Sequence, residues 1–135
     1  MADANPDDDV MRRQEHVALG ASRIYAWRIM MALRPVELHI LVSLADADRH
    51  GYAIRAETAR RTGGDVLLEP GTLYRALRRL LDAALVAPVP LRDGEDERRR
   101  RYRLTPAGRR AARAEVDRLL ATAQRASRAL EKARP

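Results

Sequence analysis

Small aliphatic residues return at three- and four-residue steps in five stretches of this chain, and each stretch predicts a helix. The stretch 35–46 places Val36, Ile40, Leu41 and Leu44 on one face, widened by Leu38 and Ala45. Pro35 suits the first helical position and holds Arg34 extended before it. A turn at 46–51 leads to a helix over 52–62, which Gly63 and Gly64 stop. In 70–84, Leu73, Leu77, Leu80 and Ala84 form a stripe at i, i+4, i+7 and i+11. The stretch 105–132 repeats Val116, Leu119, Leu120, Ala123, Ala126 and Leu130, with Thr105 as its cap and Pro106 in its first turn. Upstream, 10–33 carries an incomplete stripe of Val17, Ala21, Ile24 and Met31. Trp27 and Met30 lie beside it, and Gly20 weakens its middle.

The pattern changes at 86–91 and 100–104, where polarity alternates as in half-buried strands. Asp93-Gly94 sits in the polar segment between them and predicts a hairpin with a charged tip. Pro88 and Pro90 confine the first strand to a sheet edge. The fold class that follows is mainly α. Helices 52–62 and 70–84 make a helix-turn-helix, a two-stranded β wing follows, and an extra N-terminal helix and a long C-terminal helix flank them. The expected organisation is a disordered acidic tail over 1–9, a helical arm over 10–33, a winged domain over 35–104 and a C-terminal helix over 105–132.

The chemistry lies on the helix over 70–84. Behind the apolar stripe, Thr72, Arg75, Arg78 and Arg79 face outward, so the helix has an aliphatic back and an arginine front. Guanidinium groups pair with phosphate and with the O6 and N7 edge of guanine, which makes DNA the natural polyanion. Tyr74 lies beside the stripe, where its hydroxyl can reach a phosphate, and Thr72 can serve as cap or as phosphate contact. Gly71 reads as a position where a side chain would obstruct helix entry or the approach of DNA. Tyr52 opens the preceding helix, where its hydroxyl can bond near the turn or reach a phosphate. On the wing, Arg98, Arg99, Arg100 and Arg101 follow Asp93, Glu95, Asp96 and Glu97, so pairing across the tip competes with DNA contact. Strand alternation turns about two of the four toward DNA.

Composition narrows the classes. Of 26 basic residues, 25 are arginine, and the net charge is +7. Four aspartates in residues 1–9 offset a body that is otherwise +11. A basic body favours an anionic partner. The absence of cysteine excludes disulfides, thiolate zinc sites and cysteine nucleophiles. The three histidines lack metal-ligand spacing, and neither a glycine-rich phosphate loop nor a nucleophile elbow occurs. The chain therefore reads as non-enzymatic, without metal or cofactor. It has no apolar run of membrane length and no apolar signal core, so a cytoplasmic location is expected. A 27-residue helix at 106–132 would be about 40 Å long, more than a small winged domain covers. Its uncovered stripe calls for a second chain.

The residues His50-Gly51-Tyr52-Ala53-Ile54, then Gly64, then Pro70-Gly71-Thr72-Leu73-Tyr74-Arg75-Ala76-Leu77-Arg78-Arg79-Leu80, then Arg100-Arg101-Tyr102-Arg103-Leu104-Thr105-Pro106-Ala107-Gly108, resemble the PadR family of bacterial transcriptional regulators. The match spans roughly 35–130, and its specificity lies in the order and spacing of the pieces. The resemblance implies a winged helix-turn-helix that dimerises through its C-terminal helix and usually represses promoters. It places Thr72, Tyr74, Arg75, Arg78 and Arg79 on the recognition helix and Arg98 to Arg101 on the wing. His50 and Tyr52 fall at the start of the motif's first helix. Arg75 stands where the family commonly has proline.

The function expected is sequence-specific DNA binding by a homodimer on a pseudo-palindromic operator, with repression as the outcome. Some PadR-like proteins bind planar aromatic effectors between the dimer's helices. The C-terminal helix here carries no aromatic residue, which leaves Trp27 as the candidate contact for a small-molecule effector. The rival readings are a winged-helix protein-interaction module of the anti-activator type and a non-specific architectural DNA- or RNA-binding protein.

Overall fold

A computed structural model describes residues 33–132. The expectations for the tail 1–9 and for the helical arm up to residue 32, Trp27 included, lie outside the described residues.

Helix α1, Pro35–Ser43, opens as the sequence requires. Arg34 is extended, Pro35 takes the first position, and the Glu37 carboxylate accepts the Arg34 N–H at 2.8 Å. Ile40, Leu41 and Leu44 are buried, as the pattern predicts, but so is Glu37. Strand β1, Arg49–His50, leads directly into α2, Gly51–Arg61. The His50 Nδ1 accepts the Ala53 N–H at 3.4 Å and caps that helix. Gly63 and Gly64 both have positive φ, and the Gly64 N–H returns to the Ala59 carbonyl at 2.8 Å. That bond closes α2 with a left-handed turn that glycine adopts without strain. Leu68, in the link that follows, drops into the core.

Helix α3, Pro70–Asp82, ends two residues earlier than its periodicity suggests. Ala84 has φ 57° and is exposed, so it does not extend the apolar stripe. The Leu85 N–H bonds the Leu80 carbonyl at 2.9 Å and the Ala84 N–H bonds the Leu81 carbonyl at 3.0 Å, which terminates the helix by backbone pairing alone. Ala76 takes the place of Ala84 on the buried face, beside Leu73, Leu77 and Leu80.

The wing differs from the two-stranded hairpin that the alternation predicts. Strands β2, Val86–Pro88, and β3, Arg101–Leu104, pair antiparallel, with Val86 opposite Leu104 and Pro88 opposite Tyr102. On its other side β3 pairs with β1, Arg49 opposite Tyr102 and His50 opposite Arg101. The sheet is therefore three-stranded in the order β1-β3-β2. A strand of two residues carries no periodicity, which is why 46–51 reads as a turn. Pro88 lies on an edge strand, where its missing N–H breaks no ladder. A short 3-10 turn, Glu97–Arg99, separates the tip from β3.

Helix α4, Pro106–Lys132, leaves the sheet at Thr105. The Thr105 hydroxyl accepts the Gly108 N–H at 3.0 Å and donates to the Ala84 carbonyl at 2.7 Å, while the Thr105 N–H donates to the Leu85 carbonyl at 3.2 Å. Arg109 adds a bond to the Ala45 carbonyl at 2.8 Å. These bonds attach the start of α4 to the ends of α1 and α3. Beyond its first turns α4 leaves the core, and from Thr122 onward the described residues are exposed. Among the described residues, no helix is long and apolar enough to cross a membrane.

Candidate nucleic-acid interface

The face is built on α3. Leu73, Ala76, Leu77 and Leu80 fix its back against α1, α2 and β2, and this aims the front. At about 100° per residue, Arg75 and Arg78 lie almost opposite the buried stripe. Both are exposed, and neither has an acidic partner among the described residues. Gly71 is exposed, and a Cβ there would come no closer than 3.5 Å to Arg75 Nη1. Among the described residues, nothing at the entry of α3 requires glycine at 71. Thr72 is half-buried beside it. The groove between this face and the N-terminal end of α1 has a volume of about 870 Å³.

Arg79 does not face outward with Arg75 and Arg78 as the helical period suggests. It sits on the flank of α3, and its Nε lies 3.4 Å from the Glu37 carboxylate on α1. Tyr74 is half-exposed, and its hydroxyl rests over Gly51, where an added Cβ would come to 2.6 Å of it. A side chain at residue 51 would displace the half-exposed Tyr74 ring from this position. Tyr102 stands near the same point: burial pushes its hydroxyl pKa up, and Tyr74 adds to the shift. Tyr52 projects to solvent with its ring stacked on His50, centroids 6.5 Å apart.

On the wing the four arginines divide by structure rather than by strand alternation. Arg98 and Arg99 belong to the 3-10 turn, where alternation does not apply, and both are exposed with no ion pair among the described residues. Arg100 turns back to Glu97 at 2.8 Å, and Arg101 lies 3.9 Å from Glu95. The Arg100 guanidinium holds the Glu97 carboxyl below its usual range. Pairing across the tip therefore takes two of the four, and Arg98 and Arg99 stand clear.

This arrangement of α1, α2, α3 and wing meets its family at the level of sequence as well. A model of the transcriptional regulator PadR-like family matches residues 40–114, more than half of the chain. The chain belongs to the PadR-like family. Transcriptional regulator Rv3488 of Mycobacterium tuberculosis is 44% identical over 77 residues, 56% of this chain and 67% of that one. A 37.1 kDa protein of transposon TN4556 in Streptomyces fradiae is 42% identical over 79 residues, which are 58% of this chain but only 21% of that protein. Among solved structures, the chain is similar to a transcriptional regulator from Clostridium thermocellum, at 25% identity and TM-score 0.62, over 69% of this chain and 90% of that one. It also shares its fold with Bacillus subtilis PadR in complex with operator DNA, at 20% identity and TM-score 0.54, over 62% of this chain and 47% of that one.

The PadR-like winged helix is braced by an ion network that sequence reading missed. Glu57 on α2 is buried and accepts from Arg60 at 2.5 and 3.0 Å and from Arg61 at 2.9 Å. Arg49, the first residue of β1, lies 3.9 Å away and also bonds Asp46 at 3.1 Å. The bond from Arg60, opposed by burial, holds the Glu57 carboxyl near 2 instead of its ordinary 4.5. A depressed carboxyl contributes stability that is complete above the ordinary value and is lost as pH falls through the folded one. Denaturant titrations are expected to show this loss between about pH 4.5 and 2. Glu57→Gln is expected to flatten the slope in that window, and an unchanged slope would remove Glu57 from the account.

The predicted dimer residues of the PadR-like chain occupy one side of α4. Val116 is half-buried near the domain, while Leu119, Leu120, Ala123, Ala126 and Leu130 are exposed. One further residue, Glu37, went unread. Glu37 could have been found, because 37, 40, 41 and 44 fall at i, i+3, i+4 and i+7, the spacing of the buried face. Gly108, read above only as the last residue of the family motif, has a steric reason to be glycine: a Cβ there would lie 1.9 Å from the Leu85 carbonyl oxygen. Among the described residues, no group of three or more His, Asp or Glu could hold a metal ion.

Proposed function

We propose that this chain is a sequence-specific DNA-binding regulator that acts as a homodimer, represses its promoter and places two α3 helices in successive major grooves. The observation that carries the reading is the outward pair Arg75 and Arg78, unneutralised among the described residues on a rigidly backed helix, beside Arg98 and Arg99 of the wing. Thr72, Tyr74 and Gly71 border the same face, and Tyr52 stands on the neighbouring helix. The fold is shared with a PadR whose structure contains operator DNA, which supports the assignment. A two-fold axis implies half-sites roughly 34 Å apart and a pseudo-palindromic operator. Release by a small-molecule effector fits the same scheme.

Selection of bound sequences from random duplex DNA tests the proposal. A two-fold motif supports it, whereas uniform affinity at about 150 mM salt supports a non-specific binder. With the selected site in hand, Arg78→Ala is expected to weaken binding by roughly 5- to 150-fold, the loss of about 1–3 kcal/mol that accompanies a bidentate base contact. Arg98→Ala and Arg99→Ala are each expected to lower the log–log salt slope by about one unit. Affinity that is unchanged in all three variants across salt would remove the interface from α3 and the wing.

A further inference from the structure

The three arginines of α3 sit in two different settings. Arg75 and Arg78 are exposed on the front, while Arg79 is one-third exposed and its Nε approaches Glu37 Oε2 at 3.4 Å. The Glu37 side chain is only 4% exposed. Its other oxygen accepts the Arg34 N–H at 2.8 Å, so the carboxylate is fixed to the first turn of α1. A carboxylate this deep is costly unless it is paired. Among the described residues, this is the one ion pair between α1 and α3. Arg79 Nη1 is buried and finds no acceptor there. A side chain placed to meet DNA would be open to solvent in the free protein, and this one is turned into the protein.

The apolar back of α3 seats the helix on the core, but apolar attraction is non-directional, so a directional contact on the flank adds most to the definition of its roll. A charged clamp on the flank, about 100° away from the stripe, stops the helix from rolling. A roll of about 10° would carry the end of an arginine on the order of 1 Å sideways, against a tolerance of about 0.5 Å for a preorganised contact.

We propose that Arg79 is a positioning residue for operator reading: through Glu37 it fixes the roll of α3 and so the aim of Arg75 and Arg78. This rests on α3 being the DNA-reading helix.

The test is a double-variant cycle in the full chain, with affinity measured on the selected operator and on a random duplex over a range of salt. Glu37→Gln keeps the acceptor for the Arg34 N–H and removes the charge, and Arg79→Gln removes the other charge. Each is expected to lower operator affinity relative to random duplex about tenfold with the salt slope unchanged. The double variant strands no charge, and its amide at 79 reaches as far as Arg79 Nε and can donate to the amide oxygen at 37, so the clamp is kept as a neutral hydrogen bond and affinity is expected to return to within about threefold of the parent. Arg79→Lys keeps the ion pair and serves if Arg79→Gln fails to fold. It is expected to bind within about threefold of the parent. If Arg79 instead touches DNA, the double variant stays as weak as Arg79→Gln, the salt slope falls by about one unit, Arg79→Lys binds no better, and the positioning role is overturned. Arg78→Ala, measured alongside, separates the two failures. If it binds like the parent, α3 is not the reading helix and the proposal falls with that assignment. If it weakens binding while the double variant shows no rescue, only the role of Arg79 is lost.

Discussion

Gly108→Ala is expected to unfold this protein at a temperature lower by more than about 10 °C. In the middle of an ordinary helix the same change stabilises by about 1 kcal/mol, because glycine leaves more conformational entropy in the unfolded chain. Here the sign reverses. The added Cβ would lie 1.9 Å from the Leu85 carbonyl oxygen, 2.9 Å from its carbon and 2.8 Å from Leu104 Cδ1. Backbone cannot rotate aside as the end of a flexible side chain can, so α4 must lift from the junction between α3 and β2. That movement breaks the bonds from Thr105 to Ala84 and Leu85 as well. Overpacking of this kind costs about 3 kcal/mol or more, and each 1 kcal/mol lowers the midpoint by roughly 4–8 °C in a domain of this size. Thermal unfolding followed by circular dichroism checks it. Gly71→Ala is the matched control, because its nearest neighbour would be Arg75 Nη1 at 3.5 Å. It should melt close to the parent. A Gly108→Ala protein that melts with the control would show that the junction yields.

The second large effect concerns assembly. Leu119 and Leu120 are 43% and 57% exposed in the single chain, and Leu130 is 74% exposed. Leu119→Glu combined with Leu120→Glu therefore costs the fold itself little. In the proposed dimer each leucine would be buried twice by symmetry, at about 1.5–3 kcal/mol per side chain, and each glutamate would bring a charge into an apolar seam. The double variant is expected to sediment as a monomer at about 10 µM. Operator affinity is expected to fall by about 100-fold or more, since a monomer loses the effective concentration that joins two half-sites. Arg125→Glu, on the opposite side of α4 by helical period, should leave the oligomer intact. A double variant that remains dimeric would move the interface off this stripe.

The fold is most legible in the sequence where a period repeats often enough to be seen. Helix α3 and the long α4 repeat their leucines over several turns, and both stand close to the predicted bounds. The end of α3 was misplaced because Ala84 looks like one more apolar position, and only the backbone bonds of Leu85 and Ala84 show that the chain has already turned. Strand β1 was hidden by its length, since two residues have no pattern and their pairing depends on a strand about fifty residues later. The candidate face was legible at Arg75 and Arg78, where helical geometry alone decides exposure. At Arg79 the same geometry gives an angle to the flank but does not say what stands across from it. Glu37 does, a carboxylate whose spacing matches the core but whose charge keeps it out of an apolar pattern. On the wing, Asp96 accepts the Arg98 N–H at 3.1 Å and starts a 3-10 turn, so Arg98 and Arg99 escape the alternation of a strand.

The seam at Leu85, Thr105 and Gly108 ties the start of α4 to the domain by hydrogen bonds and close packing. In the proposed dimer the distance and angle between the two reading helices would then be cast into the protein like marks on a steel rule. DNA is the more compliant of the two bodies, and it would have to bend or twist to meet those marks. Operators that keep both half-sites but insert one base pair at the centre should then be refused, even though every base contact within each half remains available.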